Sequence, residues 1–237
     1  MLLEIQDVRG GYGHGDIVKG VSCSADSGDI LCLVGPNGCG KTTLFRLLLV
    51  SLPISGGSIR IDGRETKDLP PKAPDRDAAF AALEKVNALH LANEKYTALS
   101  GGQRQLILIA RAICQSAKVF VMDESAANLD YANHQLLMEV ITDLAGKGYC
   151  VVMSTHSPEH PASIGSKVLL MKDGCVAGFG VPKDVITPEN LEAVYDIEMD
   201  VVTIQDRYGV DRTICLPVKQ PKTRKRTAER TANYEEE

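Results

Sequence analysis

Residues 35–42 read Gly35-Pro36-Asn37-Gly38-Cys39-Gly40-Lys41-Thr42. They fill every fixed position of the phosphate-loop pattern GxxxxGK[ST]. The apolar run Ile30 to Val34 enters this turn, and a helix-compatible stretch, Thr42 to Val50, leaves it. Few local sequences constrain a fold so tightly, because the turn needs a buried strand on one side and a helix on the other. Its glycines let the backbone wrap until successive N–H groups point at phosphate oxygens. The helix then adds its positive N-terminal end. Lys41 is placed to reach the β- and γ-phosphates, and the Thr42 hydroxyl to ligate Mg²⁺. ATP and Mg²⁺ are therefore the expected ligands of the stretch from Gly35 to Thr43.

The rest of the chain supports an α/β fold. Val119 to Met122 and Cys150 to Met153 are apolar strand patterns, and Tyr131 to Ala145 is a helix closed by Gly146 and Gly148. Val168 to Met171 and Cys175 to Ala177 flank Lys172-Asp173-Gly174, a hairpin signal. Strands alternating with helices predict a mostly parallel sheet covered on both faces. Leu2 to Val8 and Val18 to Ala25 read as an added antiparallel edge. A helix is expected from Asp77 to Leu89, and another from Arg104 to about Cys114. Pro70, Pro71 and Pro74 mark a loop.

With 237 residues the chain can bury one sizeable core, here assigned to residues 1–218. Residues 219–237 lose all periodicity, carry a basic run ending in three glutamates, and read as a disordered tail. A net charge of -5, with no Trp and 5% aromatics, argues against nucleic-acid binding. Seven scattered cysteines without a CxxC pair suit a reducing compartment. Glu4 and Asp7 argue against a signal peptide. No apolar run approaches the roughly 20 residues that span a bilayer.

Three further features carry chemistry. Asp123 ends the strand Val119 to Met122, where a second Mg²⁺-directed carboxylate belongs, and Glu124 follows it as a candidate general base. Ser100, Gly101, Gly102 and Gln103 stand at a helix start and form a second anion site. One nucleotide does not need two such sites in one chain, so the second is expected to close over a nucleotide held by another protomer. Cys39, beside Lys41 and a helix N-terminus, is expected to have a lowered thiol pKa and raised reactivity.

The nine residues Gly35 to Thr43, Leu99-Ser100-Gly101-Gly102-Gln103, the strand ending in Asp123-Glu124, Asn128-Leu129-Asp130 and Ser154-Thr155-His156 together resemble the nucleotide-binding domain of ABC transporters. The resemblance runs to about residue 205. It implies a P-loop NTPase with a RecA-like, mostly parallel core, an antiparallel β edge and a helical signature subdomain near residues 75–114. It also implies Tyr12 as the ring stacked on adenine, Asp130 in the loop facing the opposite protomer, and His156 as the histidine that holds the γ-phosphate and orients water. The stretch from Leu129 to Gln135, with Gly180-Val181-Pro182 and Thr187 to Tyr195, is similar to importer ATPases for iron chelates, haem and cobalamin. By that resemblance the partners are a second ATPase subunit in a homodimer, polytopic permease subunits and, indirectly, an extracytoplasmic binding protein. The implied location is cytoplasmic, on the inner face of the cell membrane.

Two departures from the family pattern stand out. Ser125 replaces a proline after Asp-Glu. The interval from Lys41 to Ser100 is a few dozen residues short, so the helical subdomain is truncated and no counterpart of the family's Q-loop glutamine is found. Two alternatives to a hydrolysing importer subunit follow: a nucleotide-binding ABC protein with impaired hydrolysis and a regulatory role, and a soluble ABC ATPase outside transport.

Overall fold

The computed structural model describes residues 1–68, 76–115, 117–123 and 131–218. In chain order its strands and helices are β1 (Leu3–Gly10), β2 (Val18–Ala25), β3 (Ile30–Val34), α1 (Lys41–Leu48), β4 (Gly56–Ile61), β5 (Arg64–Glu65), α2 (Arg76–Lys85), α3 (Gly101–Cys114), β6 (Val119–Met122), α4 (Tyr131–Gly146), β7 (Cys150–Thr155), α5 (Glu159–Ile164), β8 (Lys167–Lys172), β9 (Cys175–Gly180), α6 (Pro182–Val185), α7 (Pro188–Tyr195), β10 (Met199–Gln205) and β11 (Asp211–Pro217). The central sheet has the order β6-β7-β3-β8-β9, parallel as far as β8. β9 turns back antiparallel. A second, antiparallel sheet has the order β2-β1-β4-β5.

All five residues of β3 are buried, which explains its unbroken apolar sequence. The period of two then sorts them. Ile30, Cys32 and Val34 enter one core with residues of α3, α4 and α7, whereas Leu31 and Leu33 enter the other with α1, β1, β2 and β4. β7 and β8 divide in the same way: Val151, Met153, Val168 and Leu170 face the first core, and Cys150, Val152, Leu169 and Met171 the second. Each fully buried leucine here contributes about 1.5–3 kcal/mol.

The β4–β5 and β8–β9 turns follow from Asp-Gly. Asp62 and Gly63 take φ of 53° and 74°, and Asp173 and Gly174 take 51° and 83°, the double left-handed geometry of a tight hairpin. The helix expected from Asp77 to Leu89 instead stops at Lys85, because Asn87 takes φ 55°, and a short 3-10 turn, Leu89–Leu91, follows. α3 starts three residues before the expected Arg104. Ser100 is its N-cap: the Oγ accepts from the Gln103 N–H, and Gln103 Oε1 accepts from the Ser100 N–H.

The last four elements had no sequence-based expectation. α6 and α7 both carry Pro at their first position, and the Thr187 side chain accepts from the Asn190 N–H. β10 and β11 form a separate hairpin that buries Met199 and Cys215 but leaves Val202, Ile204 and Leu216 exposed. Between α2 and α3 lies an apolar groove of about 280 Å³, lined among others by Leu83, Leu91, Leu99, Ile107 and Ala110. The proline-bearing loop and the charged tail lie outside the described residues.

Candidate nucleotide site

β3 delivers the chain to Gly35, and α1 carries it away. Gly38 and Gly40 take φ of 81° and 109°, values that side-chain-bearing residues rarely adopt. α1 has no side-chain cap, so its first N–H groups remain for an anion. The loop borders a hollow of about 240 Å³ lined by Asn37, Gly38, Gly40, Lys41, Thr42, Thr43 and, from the opposite wall, Ile17.

Lys41 is 5% exposed. Its Nζ donates to the Gly35 carbonyl at 2.7 Å and the Pro36 carbonyl at 3.0 Å. The charge is thus solvated by the loop's own backbone, within reach of a phosphate placed in the hollow. The turn between β8 and β9 supports the loop from below: the Gly174 N–H donates to the Cys39 carbonyl at 2.9 Å, and the Lys19 N–H to the Gly174 carbonyl at 2.9 Å. A Cβ on Gly174 would collide with the Ile17 carbonyl oxygen, so only glycine fits there.

Cys39 corrects the expectation of a reactive thiol. Its side chain is 3% exposed and packs into the core below the loop. Burial pushes the thiol pKa up, outweighing the opposing pull of Lys41. Cys39 can therefore offer phosphate its backbone, not a thiolate.

Asp123 lies at the end of β6, separated from β3 by β7. The intervening strand supplies Ser154, whose Oγ donates to Asp123 Oδ1 at 2.7 Å. Sequence reading placed this serine in a motif with His156 but gave it no contact, since only strand order shows that β7 lies beside β6. The β3–β7 register sets Val34 opposite Thr155, so His156, exposed, leaves the sheet at the level of the phosphate loop. The loop, Asp123 and His156 thus share the carboxyl edge of the parallel strands, where open α/β sheets bind ligands.

Tyr12 is half exposed in the loop between β1 and β2, and the Arg46 guanidinium of α1 sits 5.5 Å from its ring centroid. Ser100, Gly101, Gly102 and Gln103 stand at the start of α3 and line no wall of the hollow. Glu124, Ser125, Asn128 and Asp130 lie outside the described residues. Among the described residues no group of three or more His, Cys, Asp or Glu could hold a metal by itself. No described helix is long and apolar enough to cross a membrane.

The sequence matches the ABC transporter family in two stretches, residues 18–81 and 72–127. An ABC transporter ATP-binding protein of Haemophilus influenzae is 32% identical over 235 aligned positions, which cover 82% of this chain and 89% of the relative. The molybdate import ATP-binding protein MolC of the same organism is 37% identical, over 73% of this chain and 79% of its own length. A solved inward-facing conformation of a metal-chelate type ABC transporter superposes with a TM-score of 0.80 at 31% identity, covering 92% of this chain and 98% of that one. The phosphate loop between β3 and α1, the capped helix at Ser100 and these likenesses lead to one conclusion: the chain belongs to the ATP-binding subunits of ABC transporters.

Proposed function

We propose that this chain binds Mg-ATP in the hollow above α1 and energises a metal-chelate importer of the iron-siderophore, haem or cobalamin group. The observation that carries the nucleotide site is Lys41, buried in a glycine loop with its amine held by two loop carbonyl oxygens and, at 3.9 Å, the Cys39 sulfur. Backbone N–H groups from Gly38 to Thr43 would take the phosphates, and Tyr12, backed by Arg46, would stack on adenine. Thr42 and Asp123 fit Mg²⁺: the Thr42 side chain is exposed toward the hollow and Asp123 is oriented by Ser154. When bound, Mg²⁺ neutralises charge on the phosphates. Glu124 is the proposed base, and His156 the group that orients water.

Ser100, Gly101, Gly102 and Gln103 are proposed to close over the γ-phosphate of a second copy, with Asp130 facing that copy. Their position outside the hollow of their own chain supports this arrangement. The importer class is supported by the relative named for molybdate import and by the metal-chelate type neighbour. Permease subunits at the cytoplasmic membrane face and an extracytoplasmic binding protein complete the proposed system.

A specific set of observations favours weak hydrolysis. No glutamine occurs between Thr42 and Leu99. The family match breaks into two stretches that meet at residues 72–81. The alignment of 235 positions draws on only 82% of this chain, so part of the relative faces a gap. Positioning errors of about 1 Å cost roughly a hundredfold in rate. Calorimetric titration with Mg-ATP, followed by single-turnover hydrolysis, tests both parts. Tight binding with turnover well below about 1 per second supports the proposal, and absent binding overturns it.

A further inference from the structure

Three histidines gather where β7 ends. His156 follows Thr155 directly. His160, in the first turn of α5, brings Nδ1 to 2.8 Å from Thr155 Oγ1. Its ring centroid lies 4.8 Å from that of His134 in the first turn of α4, with the planes 35° apart. Thr155 Oγ1 also accepts from the Ser157 N–H at 3.1 Å. From the other side, the Tyr195 hydroxyl of α7 donates to the His156 carbonyl at 3.0 Å. The turn bearing His156 is therefore held through a side chain just before it and through its own backbone.

The hydrogens can be counted. Thr155 has one hydroxyl hydrogen and two candidate acceptors, the Ser157 carbonyl at 3.5 Å and His160 Nδ1 at 2.8 Å. With that hydrogen on the shorter contact, the His160 ring is neutral and carries its own proton on Nε2, the state that burial of the ring favours. We infer that His160 is a positioning residue for His156: by accepting the Thr155 hydroxyl it fixes the turn, and by packing on His134 it ties that turn to the helix that follows Asp130. This rests on the reading of His156 as the γ-phosphate contact.

Proton uptake would invert the bond. A protonated Nδ1 must donate to an oxygen that already accepts from Ser157, and the Thr155 hydrogen is driven to the more distant Ser157 carbonyl. The surroundings oppose that state. Burial holds the His160 pKa below its ordinary range, and His134 from α4 and His156 from the turn push the same way. Glu159, on the same helix, pulls against them, but it also accepts from the Cys215 N–H of β11 at 3.1 Å. The folded chain therefore binds this proton at lower pH than the unfolded chain. The order that His160 confers is held above about pH 6.5 and lost as pH falls from there through the lower folded value.

His160→Leu and His160→Asn in the full chain test the inference. The Asn amide can replace Nδ1 as acceptor but does not titrate near neutrality. In His160→Leu, single-turnover hydrolysis of labelled ATP is expected to slow about ten- to hundredfold, with the ATP dissociation constant held within about twofold. His160→Asn should keep most of the rate and flatten its fall below about pH 6.5. Without nucleotide, ¹⁵N-histidine NMR should report the Nε2–H tautomer for His160, His156 signals displaced in His160→Leu, and their return in His160→Asn. An Nδ1–H tautomer, or His156 signals indifferent to His160→Leu, overturns the inference. Should His160→Leu not fold, a His160→Asn rate that falls with pH in parallel with the wild type does the same. A wild-type chain that binds no ATP defeats the nucleotide reading, while the NMR measurements still decide the positioning role.

Discussion

Lys41 gives up water for two loop carbonyls, and that exchange is worthwhile only where an anion can replace them. Lys41→Ala should remove charge-assisted contacts worth about 1.5–3 kcal/mol, a roughly ten- to hundredfold loss of ATP affinity by calorimetry. The cysteines make a second prediction. Under brief maleimide treatment of the folded chain, exposed Cys175 should label first, and buried Cys39 only in denaturant, with or without ATP; peptide mass spectrometry reads the order. The contrast shows what sequence could tell. Lys41 was legible because its work is local: a glycine turn, a strand before it and a helix after. Cys39 was misread because its neighbours along the chain, Lys41 and a helix end, say nothing of the core that closes over its sulfur. The role of Ser154 was missed because it meets Asp123 across a strand pairing that sequence order does not state.

At the level of elements, the strands of the central sheet were visible as apolar runs, and the β8–β9 hairpin as Asp173-Gly174. The capping box at Ser100 was equally available as Ser-x-x-Gln, and reading it would have started α3 at Gly101. It also gives Ser100 a structural task beside its proposed phosphate contact. Ser100→Ala should therefore cost about 1 kcal/mol of stability in urea titration of the isolated chain, before any partner is involved. β10 and β11 escaped notice because apolar residues occupy both faces: Met199 and Cys215 inward, Val202, Ile204 and Leu216 outward. No clean alternation remains to betray such a strand. β3 is the opposite extreme. Leu33→Ala empties a fully packed position between the two sheets and should cost about 2–5 kcal/mol by chemical denaturation.

At the scale of the whole molecule, the phosphate hollow and the capped helix at Ser100 are separate surfaces of one chain, and the proposed function needs both from two chains. Glu124→Gln should keep ATP binding, slow hydrolysis and trap a dimer at saturating Mg-ATP; light scattering that finds only monomer would remove the two-chain site. The central sheet also sets a timetable for synthesis. β3 pairs with β7 and β8 alone, so the strand that launches the phosphate loop has no hydrogen-bonded neighbour until residues 150–172 leave the ribosome. The buttress at Gly174 arrives later still. A nascent chain released before β7 holds every residue of the phosphate loop, yet lacks both strands that pair with β3 and the Gly174 buttress. It should emerge as an aggregation-prone fragment that ATP neither binds nor rescues.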